Sequence, residues 1–241
     1  MRLALSVFRD GSGQFVKSIR EYMPDYLDFE RVTALICDGE TVESKGIFDV
    51  IVPTSSGLPF GISCKMSTAQ REDHDASFME LSNSQKKFSD EFERLGIDWQ
   101  EEPELAGPAV VDLVTSWHHA VASTVDLDAS RYLVLSHDRP WHYFQLHCYT
   151  LDLKIADPES DVTWVNEGGD TLSGPSTVAG YIDYDGRHHR LWQLFQRSGG
   201  QLKFFPPLGW ADWTSSFFTL ETPPLKSIFE RVQEYFPDMW P

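Results

Sequence analysis

Two short apolar runs joined by turn-forming residues constrain the fold of this chain more than any other feature. Residues 46–53 read GIFDVIVP and residues 60–66 read FGISCKM, with serine, glycine and proline between them. This pattern predicts a β-hairpin. Because side chains alternate along a strand, Ser63 and Lys65 are expected on one face, opposite a buried surface. Asp49 lies on the first strand of the same hairpin.

The composition is typical of a globular protein with a packed core. The 241 residues are 41% hydrophobic and 13% aromatic. No apolar run reaches the roughly 18 residues of a membrane helix, and residues 1–8 are too short for a signal peptide, so we expect a cytoplasmic protein. The three cysteines match no metal-ligand spacing and are interpreted as buried apolar side chains. We expect one domain over residues 1–241, with a core at 1–140 and a β-rich elaboration at 141–241.

The chain is strongly acidic, but one segment of it is basic. The formal net charge is −17, which disfavours a nonspecific nucleic-acid coat protein because phosphate binding depends on lysine and arginine. Residues 187–203 contain three arginines and one lysine and no acidic residue. A protein of this kind meets a duplex through one restricted face. The alternative is an acidic protein that mimics nucleic acid toward a basic partner.

Periodicity and turn signals predict the remaining elements. Asp38 and Gly39 read as a turn, and Gly96 as the residue just past a helix. The expected elements are a helix at 15–27, a strand at 31–37, a helix at 76–95 capped by Asp75 or Ser77, a loop at 101–108, a helix at 110–124, a strand at 131–136, β structure after residue 140, and a hairpin at 191–205.

The hairpin carries groups that suit phosphodiester hydrolysis. Magnesium takes hard oxygen ligands from one or two carboxylates and keeps several waters. Asp49 is a suitable ligand, and the backbone carbonyl of Cys64 can supply a further oxygen. Across the hairpin, Lys65 can hold the attacking water or offset the charge that grows on the phosphate.

Phe48-Asp49 followed by Ser63-Cys64-Lys65 resembles the active-site hairpin of the PD-(D/E)xK nuclease superfamily. Phe48 stands where that motif has proline, and Ser63 stands where it has the second acid. In type II restriction endonucleases with a Ser-x-Lys strand, the missing carboxylate comes from the following helix. Glu80 lies 15 positions after Lys65, in the helix predicted at 76–95.

The resemblance implies a restriction-endonuclease-like α/β fold, with a mixed central β-sheet flanked by helices and an added C-terminal β-rich region. Residues 79–88 and 190–206 also resemble segments of such proteins. The implied activity is magnesium-dependent cleavage of double-stranded DNA, with Asp49 and Glu80 as metal ligands and Lys65 and Ser63 as further catalytic residues. Symmetric cutting favours a homodimer.

A two-stranded ribbon can enter a major groove, where arginine reads guanine and glutamine reads adenine. The basic window at 187–203 therefore supplies most of the predicted DNA contacts, and a loop at 136–141 supplies another. The predicted contact residues are Arg139, Arg187, Arg190, Gln193, Arg197, Gln201 and Lys203. The alternatives are a defence nuclease specific for modified or foreign DNA and a non-catalytic acidic binding protein.

Overall fold

The computed structural model describes residues 1–10, 12–13, 15–18, 21–42, 46–55, 57–68, 79–82, 84–151, 162–169, 174–196 and 200–221. The helices are α1 (Arg2–Ser6), α2 (Tyr26–Cys37), α3 (Gln85–Leu95) and α4 (Pro103–His119), with 3-10 turns at Val7–Asp10 and Leu208–Trp210. The strands are β1 (Phe15–Ser18), β2 (Glu21–Met23), β3 (Glu40–Thr41), β4 (Val50–Val52), β5 (Phe60–Thr68), β6 (Met79–Ser82), β7 (Arg131–His137), β8 (Phe144–Thr150), β9 (Thr163–Glu167), β10 (Thr177–Tyr184), β11 (Arg187–Phe195), β12 (Leu202–Phe204) and β13 (Trp213–Thr214). The chain is mixed α/β, as predicted at that level.

The larger sheet contains the predicted hairpin. Its six strands run in the order β13-β8-β7-β5-β4-β3, with β5 and β7 parallel and the other neighbours antiparallel. Val50 pairs with Ile62 and Val52 with Phe60 across the β4–β5 hairpin, which confirms that prediction. Gly61 is required here, because a Cβ at this position would overlap the ring of Phe48, the residue before Asp49.

The smaller sheet is antiparallel, in the order β6-β12-β11-β10-β9. Buried residues of α3 and α4 share one core with both sheets, represented by Phe88, Val111, Val134 and Trp192. These helices therefore lie between the two sheets. A second core joins α1 and α2 to the other face of the larger sheet. The pairing of β11 with β12 confirms the hairpin predicted at 191–205. In the described ranges after residue 140 the structure contains β8 to β13 and one 3-10 turn, which agrees with the predicted β structure.

The predictions at 15–27 and 31–37 are wrong. Residues 15–18 and 21–23 form the antiparallel pair β1–β2 instead of a helix, while the expected strand at 31–37 belongs to α2. Asp25 caps α2 by accepting from the Asp28 N–H, and the Asp28 carboxylate accepts from the Asp25 N–H in return. This capping box and the burial of Phe29 and Val32 override the β propensity of the segment.

Two later predictions also need correction. The segment at 101–108 is not a loop, because Pro103 stands in the first turn of α4, where proline is compatible with a helix. The helix predicted at 76–95 is confirmed only from Gln85, while β6 occupies 79–82 and residues 76–78 lie outside the described chain. Gly96 ends α3 with φ 70°, as expected for a C-terminal glycine. No helix in the described ranges is long and apolar enough to cross a membrane.

Candidate functional site

Asp49 forms the centre of a polar cluster at the start of β4. Its backbone is fixed, since the Asp49 N–H donates to Ile62 O at 3.0 Å and its carbonyl accepts from the Val42 N–H at 2.9 Å. Its Oδ2 accepts from the Cys64 N–H at 2.7 Å and from Ser63 Oγ at 3.3 Å. The structure therefore brings the predicted aspartate and serine into direct contact.

Lys65 completes the hairpin part of this cluster. Its Nζ lies 3.8 Å from Asp49 Oδ2, and the side chains of Lys65 and Asp49 are 21% and 27% exposed. Solvent thus has access to both charged groups. Ser63 differs, because it is only 1% exposed. Its Oγ donates to Asp49 Oδ2 at 3.3 Å, so this serine holds Asp49 and does not itself face solvent.

Glu30 is a functional candidate that the sequence analysis missed. It lies on α2, beside Phe29, whose side chain packs into the core against the larger sheet. Burial raises the pKa of Glu30 to about 7, and the negative charge of Asp49 is the next largest cause. The ammonium of Lys65 acts in the opposite direction. A second carboxyl group is therefore electrostatically coupled to the Asp49–Lys65 pair.

Glu80, the predicted second acid, has a different structural context. It lies on β6, directly opposite Lys203 of β12 in the smaller sheet. Its neighbour Met79 is fully buried and projects into the core between the sheets, so Glu80 projects to the outer face. No contact in the described chain joins Glu80 to Asp49. Its role as a metal ligand stays a prediction, and Glu30 is a competing candidate for it.

The oxygens around Asp49 suit a hard divalent cation. No described residue donates a hydrogen bond to Asp49 Oδ1. The N–H and C=O of one strand residue point the same way, so the Cys64 carbonyl faces the edge where its N–H meets Asp49. Burial raises the pKa of the Cys64 thiol, which keeps it neutral. Among the described residues, no three His, Cys, Asp or Glu side chains form a metal-holding group. Magnesium commonly uses one or two carboxylates, so a site at Asp49 with one further acid stays a prediction.

The predicted DNA-contact residues divide into several groups. Gln193 pairs across strands with Lys203, so both share the outer face of the smaller sheet with Glu80. Arg190 is already engaged, because its Nη2 lies 2.8 Å from Glu167 and 2.6 Å from Tyr181 Oη. Of the rest, Arg139 and Arg187 are exposed, Gln201 is half-buried, and Arg197 lies outside the described residues.

No known protein family, curated protein or solved structure matches this chain. The nuclease resemblance therefore rests on the hairpin residues themselves, and a nuclease function is a proposal.

Proposed function

We propose that this protein is a magnesium-dependent endonuclease that hydrolyses double-stranded DNA, with Asp49, Lys65 and Glu30 as its catalytic centre. The observation that carries the proposal is the 3.8 Å contact between Lys65 Nζ and Asp49 Oδ2 beside a second, electrostatically coupled carboxyl group. The mixed α/β class, with one mixed six-stranded sheet, is compatible with the fold that the resemblance implies.

The two acids have the chemistry of a cation site. Carboxyl groups that repel each other in a partly buried place are stabilised by a bound cation, which opposes both charges at once. Asp49, Glu30 and the Cys64 carbonyl would hold the metal. Magnesium supplies charge neutralisation at the scissile phosphate and lowers the pKa of the attacking water.

Side chains and backbone groups of the chain orient Asp49 and determine the protonation of the candidate site. Ser63 and the Cys64 N–H hold Asp49 through Oδ2, which leaves Oδ1 directed elsewhere. Lys65 donates hydrogen bonds and a positive charge, so it can orient the nucleophilic water and offset charge on the phosphate. Glu30 must lose its proton before it can bind a cation, which makes the site sensitive to pH near neutrality.

The net charge of −17 favours a second candidate function, an acidic protein that binds a basic partner without catalysis. The engagement of Arg190 by Glu167 also removes one of the predicted phosphate or base contacts. Cleavage distinguishes the two candidates, because a mimic of nucleic acid does not hydrolyse it.

The proposal is tested by incubating purified protein with unmodified and modified phage DNA in the presence of magnesium, followed by sequencing of the ends. We expect magnesium-dependent cutting that is abolished by D49N and by K65A, with K65A still binding DNA. The exposed Glu93 on α3 provides a matched control, and E93Q should cut at the parent rate. A K65A protein that cuts as fast as the parent would refute the assigned role. An absence of cutting on every substrate would favour the acidic binding protein.

A further inference from the structure

A second concave site lies away from the Asp49 cluster. It is a cavity of about 420 Å³, which is within the usual size range of small-molecule sites. Its wall includes Arg9, Met23, Trp141, His142, Tyr143 and Leu220. The wall thus combines one permanent cation, two large aromatic rings and a few apolar groups. This composition differs from the two carboxylates and lysine of the candidate catalytic centre.

The loop that forms one wall is held in a specific conformation. Asp138 Oδ1 accepts from the backbone N–H groups of His142 at 2.6 Å and Tyr143 at 3.0 Å. The Trp141 N–H donates to Asp138 O at 2.9 Å. Trp141 has φ 59°, a left-handed conformation that is unfavourable for a bulky aromatic residue. Residues held in such conformations cluster at binding sites, where the surrounding structure fixes them.

The indole ring of Trp141 is also held in place. One face stacks on His137, with ring centroids 3.6 Å apart and planes at 22°. The ring of Phe144 meets it edge-on at 6.1 Å. These contacts hold the indole in one orientation at the cavity wall, so a planar ligand that meets it need not order this side chain first.

Arg9 supplies a positive charge beside the aromatic rings of the cavity wall. Its Nη1 donates to Leu220 O at 3.1 Å, which anchors the guanidinium at the cavity wall. A guanidinium has five N–H donors, so others remain for a ligand anion. A planar aromatic group joined to an anionic group would match the chemistry of this wall.

We propose that this cavity binds a nucleotide, with its base against Trp141 and Tyr143 and its phosphate at Arg9. A free nucleoside monophosphate and a nucleotide extruded from a DNA duplex present the same base and phosphate. The cavity stands apart from the hydrolytic centre along the strands. Cys64 pairs with Leu133 and Thr68 with His137, so the loop after β7 begins about 13 Å beyond the level of Cys64.

The inference goes beyond the proposed hydrolysis and is tested without it. Binding of the four deoxynucleoside monophosphates to the full chain is measured by NMR in EDTA, where no magnesium-dependent reaction occurs. We expect Y143A and R9Q to weaken binding roughly tenfold or more, in line with the loss of one base stack or one charged contact. The exposed Tyr26 on α2 provides the matched control, and Y26A should bind as the parent does.

A duplex that contains 2-aminopurine distinguishes the two sources, because the fluorescence of this base increases when it leaves the stack. An increase that is lost in Y143A and R9Q assigns the cavity to an extruded nucleotide. Binding of the monophosphates without such an increase assigns it to a free nucleotide. W141A is a further test, but Y143A and R9Q decide the matter if W141A does not fold. No binding at millimolar nucleotide and no fluorescence increase, or equal weakening in Y26A, would overturn the inference. Failure of DNA cleavage leaves this result unaffected.

Discussion

Glu30 is the residue through which we expect the candidate site to respond to pH. An acid whose pKa is raised to about 7 in the folded protein, from an ordinary value of 4.5, binds its proton more tightly when folded. Stability is therefore expected to fall as the pH rises through the window between these values, because the unfolded chain ionises first.

Replacing Glu30 with glutamine removes this penalty. In EDTA at pH 8, E30Q should be more stable than the parent by about 1 kcal/mol, a value reduced for solvent screening because the group is only partly buried. Near pH 4 the difference should be small, since the parent carboxyl is then protonated in both states. Urea unfolding at both pH values measures this, with E93Q as the control. Equal stability of E30Q and the parent at pH 8 would remove the electrostatic argument for Glu30.

Magnesium binding should depend on the same Glu30 proton. Stabilisation by magnesium should rise with pH, whereas the stability of the metal-free protein should fall. A cation at Asp49 and Glu30 requires both to be ionised, so the rise in Tm caused by magnesium should increase from pH 6 to pH 8. The rise should be small in E30Q and in D49N at both pH values, whereas E93Q should behave as the parent does. Differential scanning fluorimetry with and without magnesium provides the measurement. A rise that is independent of pH and persists in D49N would place the metal elsewhere.

Single residues also show where sequence reasoning was sufficient. Asp49, Ser63 and Lys65 could be predicted together because a hairpin is local, and its alternation fixes which side chains meet. Glu30 could not be predicted from the same segment, because it reaches the cluster only through the packing of α2 on the sheet. The sequence does contain a signal for it, since Glu30 follows the Asp25–Asp28 capping box at the start of α2.

At the scale of elements, α2 determines whether Glu30 faces the site. The helix begins at the Asp25–Asp28 capping box, and its buried residues pack on β4 and β5. The prediction of a strand at 31–37 failed because it weighed β-branched residues above this cap. The prediction of a helix through Glu80 failed for the converse reason, since pairing with β12 makes 79–82 a strand despite its helical periodicity.

Removing the cap should therefore affect function as well as stability. D25A is expected to cost about 1 kcal/mol, the usual value for loss of a helix N-cap, and to reduce cleavage more than this loss alone explains, because α2 positions Glu30. Asp90 on α3 offers a control, since its exposed pair with Lys86 contributes little. Unfolding and cleavage rates of D25A and D90A are compared below their melting transitions. Full activity of D25A would show that the α2 start does not position the site.

At the scale of the whole molecule, the order of strands places the candidate site where β4 begins beside β5 in the larger sheet, and it places Gln193 and Lys203 on the outer face of the smaller sheet. Composition and strand patterns were sufficient to predict a mixed α/β chain with β structure after residue 140. They could not predict that α3 and α4 lie between two sheets, because this depends on contacts between residues far apart in sequence, such as Val111 with the Trp192 core. The net charge of −17 requires that any duplex approach through a limited surface.

The most direct test compares the two candidate acids in one assay. Single-turnover cleavage of a duplex with saturating magnesium is measured for E30Q and E80Q beside the parent, D49N and E93Q. We expect E30Q to lose roughly 100-fold or more, as for other groups that stabilise charge in a transition state, D49N to be inactive, and E80Q and E93Q to cut near the parent rate. Parent-like cleavage by E30Q together with loss of activity in E80Q would contradict the account and restore the acid predicted from the sequence.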